Sequence, residues 1–163
     1  MKEKLLRSLV KEIIFENSTL PSSKRGRISK WGKEQEKKTP HSWSKTYPLS
    51  KMKISTEVRY YPPDSSNPFS PDIGYLYAWV NGEAVGQLVM NKSTQEEHID
   101  KVSFDIEVDP DFRRLGIATI MIKAAEELLG KKTIPSSFGM HSDRMPTQDA
   151  HSFWKSRTGI NDL

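Results

Sequence analysis

The stretch that decides the fold is Val108-Asp109-Pro110-Asp111-Phe112-Arg113-Arg114-Leu115-Gly116-Ile117-Ala118-Thr119. Just before it, Val102, Phe104, Ile106 and Val108 alternate with Ser103, Asp105, Glu107 and Asp109, the period-two pattern of a strand with one apolar face. Pro110 ends that strand. After it, Ile117, Ile120, Met121, Ala124 and Leu128 fall on one face of a helix predicted over residues 114–129, with Gly130 as the stop. Strand, tight turn and helix follow in that order. The first amides of a helix have no internal partners and the helix dipole favours an anion there, so the junction suits a pyrophosphate. Gly116 lets phosphates approach the backbone, and Arg113 and Arg114 add guanidinium groups that pair with phosphate oxygens.

Upstream, residues 73–80 and 83–90 are rich in aromatic and β-branched types and flank Asn81-Gly82, which predicts a hairpin closed by a type I′ turn. Residues 54–61 form a further strand candidate, closed by Pro62 and Pro63, and a Pro-, Ser- and Asn-rich loop runs on to Asp72. A polar loop covers residues 91–100. Downstream, residues 133–141 read as a short strand and residues 147–157 as a short helix, with Pro146 or Thr147 near its start.

The N-terminal third differs in character. Residues 1–50 hold 12 Lys or Arg against 5 Glu, a net of +7, whereas residues 51–163 hold 13 against 16 acids, a net of −3. Leu5, Leu6, Leu9, Val10, Ile13 and Ile14 recur at helical spacing and predict an amphipathic helix over residues 2–16, whose apolar stripe would pack on the domain, on a second copy or on an assembly partner, with binding to a membrane surface as the alternative. Residues 18–50 show no apolar periodicity and read as an extended or mobile basic arm. In it Lys24, Arg25, Arg27, Lys30, Lys33, Lys37 and Lys38 surround Trp31, with Trp43 and Tyr47 following, a mixture of phosphate-neutralising charge and base-stacking rings that makes nucleic acid a candidate partner. A solvated tail, or an arm whose Trp residues dock on its own domain, is the other reading.

Composition closes off several chemistries. The chain has no cysteine, so disulfides, thiolate zinc sites and a cysteine nucleophile are excluded, which suits a reducing cytosol. Apolar runs are only a few residues long, so neither a membrane span nor a secretory signal is expected and the expected location is cytoplasmic. His41 and His98 lie in polar segments without a ligand cluster, and no metal is expected.

Arg113-Arg114-Leu115-Gly116-Ile117-Ala118 resembles the Q/R-x-x-G-x-G/A signature of the GNAT N-acetyltransferase superfamily, and the preceding Val-x-Pro looks like the end of that family's fourth strand. The resemblance extends over about residues 52–160 and places Ala150, Phe153, Trp154 and Gly159 at the family's last-helix motif. It implies an α+β fold, with a GNAT-like mixed, mainly antiparallel sheet and flanking helices, as a domain over residues 51–163 behind the amphipathic helix (1–17) and basic arm (18–50). It also implies acetyl-CoA as cosubstrate and an amine as acceptor. Backbone groups of Ile106 and Val108 would pair with the pantetheine arm, and amides of Arg113, Arg114, Leu115, Gly116, Ile117, Ala118 and Thr119 would bind the pyrophosphate.

Two departures from the family pattern stand out. The family places one or two helices after its first strand to wall the acceptor site, whereas only a short Pro-rich loop is available between Tyr61 and Asp72. The acceptor side is therefore expected to be open, favouring a bulky or macromolecular acceptor, or to be covered by the N-terminal helix. The usual closing strands after the last helix are also expected to be missing, with a partner subunit as one source of them. The second departure is Trp154, which stands near the place of the Tyr that often protonates the departing thiolate; an indole cannot do so. Glu107 and Asp105 are candidate bases because they share one strand face, which would otherwise be simply a solvated face. His141 and Ser142 are candidates for proton exchange near the departing sulfur, or else turn residues. The competing reading is a catalytically degenerate GNAT-like protein whose basic arm contacts nucleic acid or a larger assembly.

Overall fold

The computed structural model describes residues 26–49, 52–92, 102–130 and 133–135. Six strands form one sheet in sequence order: β1 (Trp43–Leu49), β2 (Ile54–Tyr61), β3 (Gly74–Val80), β4 (Glu83–Lys92), β5 (Val102–Val108) and β6 (Thr133–Pro135). Neighbours from β1 to β5 are antiparallel, and β6 lies parallel to β5. Parallel neighbours need a crossover, and helix α2 (Ile117–Leu129) supplies it. Helix α1 (Arg27–Lys38) precedes the sheet. The architecture is α+β with helices flanking a mixed, mainly antiparallel sheet.

The hairpin forms where the sequence predicts it. Asn81 (φ 50°) and Gly82 (φ 78°) both take the left-handed conformation that a type I′ turn requires. Just beyond, Ala78 pairs with Gly86 but Trp79 with Ala84, so Val85 is an extra residue that bulges β4.

Each face of the sheet carries its own helix. On one, Val58, Leu76, Ala78, Leu88, Met90 and Phe104 pack with Ile117, Met121, Ile122, Ala124 and Ala125 of α2. Gly86 allows the close approach there, since a Cβ on it would stand 2.7 Å from Met121 Sδ and 3.2 Å from Ile117 Cγ2. On the other face, Tyr61, Tyr77, Trp79 and Ala84 pack with Ile28 of α1, with Trp31 and Tyr75 alongside. α1 lies mainly on β4.

This overturns the extended or mobile arm for residues 27–49 and moves the start of the folded domain well before residue 51. α1 has no aliphatic stripe because its buried positions are Ile28 and Gly32. The helix sits so low on the sheet that a Cβ on Gly32 would fall 2.4 Å from Ala84 Cβ, 3.2 Å from the Trp79 ring and 3.3 Å from the Tyr77 ring. β1 contains Pro48, which an interior strand rejects but an edge strand with one neighbour accepts. The acceptor-side expectation changes too. Among the described residues α1 covers the aromatic face, so openness no longer argues for a bulky acceptor, and the helix expected over residues 2–16 lies outside the described residues.

The predicted α2 start at residue 114 is also corrected to Ile117, because Arg114 (φ 61°) and Gly116 (φ 86°) hold the preceding turn in left-handed conformations. The helices expected over residues 2–16 and 147–157, residues 18–25 of the arm, and the extension of the last strand to residue 141 lie outside the described residues. Among the described residues no helix is long and apolar enough to cross a membrane.

Gly32→Ala tests the seating of α1. The added methyl gains roughly 1 kcal/mol of helix propensity, but overpacking against a rigid Ala84 costs about 1–3 kcal/mol. The thermal midpoint is expected to fall; a rise would mean that α1 does not approach the sheet this closely.

Candidate active site

The site begins with the chain reversal between β5 and α2. Asp109 starts it: its Oδ1 accepts the Asp111 amide at 3.0 Å, an Asx-type bond that opens the 3₁₀ turn Pro110–Phe112. Leu115 is half-buried against the α2-side core, and Ile117 is fully buried. These anchors fix the loop from below. Above them, Gly116 is the N-cap of α2 and makes no side-chain cap bond, and the first helical bond runs from the Ile120 amide to the Gly116 carbonyl at 3.0 Å. The amides of Ile117, Ala118 and Thr119 precede that bond and have no partner within the helix. A Cβ on Gly116 would meet nothing within 4 Å, so the space over the turn is open. Arg113 and Arg114 are both exposed beside it.

The edge of β5 that faces β6 adds to the site. The Asp109 amide donates to the Val85 carbonyl at 2.7 Å, continuing the β4–β5 register in which Glu107 faces Gln87 and Asp105 faces Val89. In an antiparallel ladder hydrogen-bonded and non-hydrogen-bonded pairs alternate, so Asp105, Glu107 and Asp109 bond to β4. The backbone groups of Ile106 and Val108 then point the other way. The Arg113 Nε donates to the Val108 carbonyl at 3.1 Å, consistent with that direction. Among the described residues β6 pairs with β5 only as far as Phe104↔Pro135, and proline has no N–H with which to continue the ladder.

The side chains of Asp105 and Glu107 lie on the face that carries α1. Glu107 is half-exposed and its Oε1 accepts a charge-assisted hydrogen bond from Arg27 Nη2. Arg27 also stacks 4.8 Å from the centre of the Trp31 ring. Asp105 is exposed. Next to Glu107 in the register stands Gln87, whose Nε2 donates at 2.6 Å to the Tyr77 hydroxyl, and burial pushes the Tyr77 phenol up to about 12. The Tyr61 ring meets Tyr77 edge-on at 5.6 Å, and the Tyr61 hydroxyl donates to Glu36 of α1. His41 Nδ1 lies 3.0 Å from the same carboxylate.

Sequence reasoning singled out the turn and the two strand carboxylates as candidates but not this aromatic floor. The signal was the spacing of Tyr75, Tyr77 and Trp79, which places all three on one strand face. It also missed Asp109, which is only 5% exposed. Of the two readings of the rings in the basic segment, docking on the chain's own domain agrees with the structure: Trp31 packs beside the α1-side cluster, Trp43 packs against the α2-side core, and Tyr47 is buried with its hydroxyl 3.1 Å from Glu127. His141, Ser142 and Trp154 lie outside the described residues. Among the described residues no group of three or more His, Cys, Asp or Glu is placed to hold a metal.

The model of the acetyltransferase (GNAT) family matches residues 38–159, a span that runs from the end of α1 through the whole sheet and the turn. The chain belongs to the GNAT acetyltransferase family. The GNAT match begins before residue 51, in agreement with β1 as part of the domain. Family membership indicates acyltransferase chemistry in general terms. No protein among the curated ones searched matches the chain.

The Glu36 cluster gives a pH prediction. Burial alone would raise the Glu36 pKa, but hydrogen bonds from Tyr61 and His41 and the charge of Arg59 outweigh it and hold the carboxyl below its ordinary 4.5. A carboxylate depressed in the folded state contributes stability that is present above its unfolded pKa and lost as pH falls through its folded one. Glu36→Gln is therefore expected to lower the thermal midpoint at neutral pH and to flatten its decline in acid. Parallel acid limbs for the two proteins would show that Glu36 carries none of that dependence.

Proposed function

We propose that this protein is an acetyl-CoA-dependent N-acetyltransferase acting by direct transfer to an amine. The observation that carries the reading is the open turn at Gly116, where the uncapped amides of Ile117, Ala118 and Thr119 lie beside two exposed arginines at the end of β5. Preorganised amides at a helix N-terminus match a pyrophosphate, so the residues present fit the group. Arg113 to Thr119 hold its phosphates, and the outward backbone groups of Ile106 and Val108 hold the pantetheine arm as an added strand would. Bound there, acetyl-CoA supplies an activated acetyl thioester.

The residues of the α1-side face then handle the acceptor. Asp105 or Glu107 takes a proton from the acceptor ammonium, directly or through water. The freed amine nitrogen forms a bond to the acetyl carbonyl carbon and gives up its second proton as the carbon–sulfur bond breaks, and the sulfur takes up one proton and leaves as the thiol, so that the net release is the single proton first taken by the carboxylate. With no cysteine in the chain, a cysteine-bound acetyl intermediate has no place in this scheme. His141 and Ser142 are proposed as the source of the proton for sulfur.

A second reading has its own observation. The outward face of α1 exposes Lys30, Lys33, Lys37 and Lys38. A degenerate protein would use this face to hold nucleic acid by phosphate charge alone, since the nearby rings are packed away. The helix over residues 2–16 is proposed as the contact for a second copy or an assembly partner.

Calorimetric titration with acetyl-CoA separates the readings. Saturable binding is expected, and at 100 times the dissociation constant the ligand should stabilise the fold by about 2.7 kcal/mol. Gly116→Trp should abolish binding by filling the space over the amides, and unchanged binding would remove the pyrophosphate assignment. In a screen with labelled acetyl groups, Asp105→Asn or Glu107→Gln should lower turnover by about 10²-fold or more while leaving acetyl-CoA affinity intact. No binding by folded wild-type protein, together with salt-sensitive retention of an oligonucleotide, would favour the degenerate reading.

A further inference from the structure

Asp109 joins three parts of the molecule through four polar groups. Its amide donates to the carbonyl of Val85, the bulge residue of β4, at 2.7 Å, and its carbonyl accepts the Phe112 amide at 2.8 Å. Of its carboxylate oxygens, Oδ1 accepts the Asp111 amide at 3.0 Å and Oδ2 accepts the amide of Gly26, the N-cap of α1, at 2.9 Å. The residue is 5% exposed, so neither oxygen gives up its partner without cost. The negative charge also sits at the positive end of the α1 dipole. One residue further into α1, Arg27 is paired with Glu107 two residues earlier on β5. Two consecutive residues of α1 are thus latched to the end of the strand from which the phosphate turn departs.

We propose that Asp109 is a positioning residue through which the phosphate turn and the seating of α1 are coupled; the proposal rests on the acetyl-CoA reading above. The carboxylate cannot follow one of its two amides without moving against the other. A ligand that orders the turn therefore firms the grip on Gly26, and with it the start of the helix that covers Tyr77 and Trp79. By thermodynamic reciprocity, loosening the start of α1 weakens the ligand. The carboxylates proposed to deprotonate the acceptor lie on the face that α1 covers, so the same latch adjusts the acceptor side to the presence of acetyl-CoA.

Hydrogen exchange with and without acetyl-CoA, alongside titration, tests this on the full chain. In the wild type, acetyl-CoA is expected to slow exchange of the amides from Gly26 to Lys30 as well as those of the turn. Asp109→Asn keeps an oxygen for Asp111 but sets an NH₂ against the Gly26 amide; it should weaken acetyl-CoA about five-fold or more and abolish the response of α1. Arg27→Met, which leaves the turn untouched and retains an apolar stem over Trp31, should weaken acetyl-CoA in the same direction and keeps the question open to test should the Asp109 variant fail to fold. Wild-type binding with no response in α1, or Arg27→Met binding as the wild type does, overturns the coupling alone. A folded wild type that shows no saturable binding removes the acetyl-CoA reading and the coupling with it.

Discussion

The change from antiparallel to parallel pairing at β5 constrains everything around it. A parallel neighbour must be reached by a crossover, so the chain has to leave the end of β5, reverse, and return along one face as α2. Only residues 109–116 are available for that reversal. A 3₁₀ turn and two left-handed residues accomplish it, and they leave the start of α2 uncapped beside the strand edge. Backbone geometry alone thus brings the first amides of α2 beside the β6-side edge of β5.

The sheet separates structural from chemical work. Its α2 face is apolar and closely packed, with aliphatic side chains in the majority, and Gly86 admits the helix at the point where α2 must start. Its α1 face is aromatic and polar: Tyr61, Tyr77, Gln87 and Glu107 form a band across four strands, held down by Ile28, Trp31 and Glu36 of α1. Burying Tyr61, Tyr77, Gln87 and Glu107 is tolerable because each finds a partner on α1 or on the next strand, whereas the indole nitrogen of Trp79 on the same face has none among the described residues.

How much of this was legible depends on whether the deciding contact is local. Asn81-Gly82 and the alternation of Val102 to Val108 are short-range signals, and both elements form where they point. α1 was not legible because its closest contact is made by Gly32, a residue with no side chain, within a lysine-rich segment whose exposed face dominates the composition. β1 was hidden by Pro48, which counts against a strand unless the strand is known to be at an edge. The start of α2 was misplaced because nothing in the residue type of Arg114 announces a positive φ. Within the site, the turn could be read from Gly116 and the paired arginines. The role of Asp109 could not, since its second partner lies 83 residues away in sequence.

The proline in β1 carries one more implication. Among the described residues β1 has a single neighbour, so its outer side is the sheet's open border on that flank. An open border invites another chain to add itself by backbone pairing, a common route to aggregation. Pro48 removes one amide donor from the strand, and exposed Lys45 places a charge on the same short strand, where it is tied to Glu127 of α2. Both features discourage another strand from pairing with the outer side of β1.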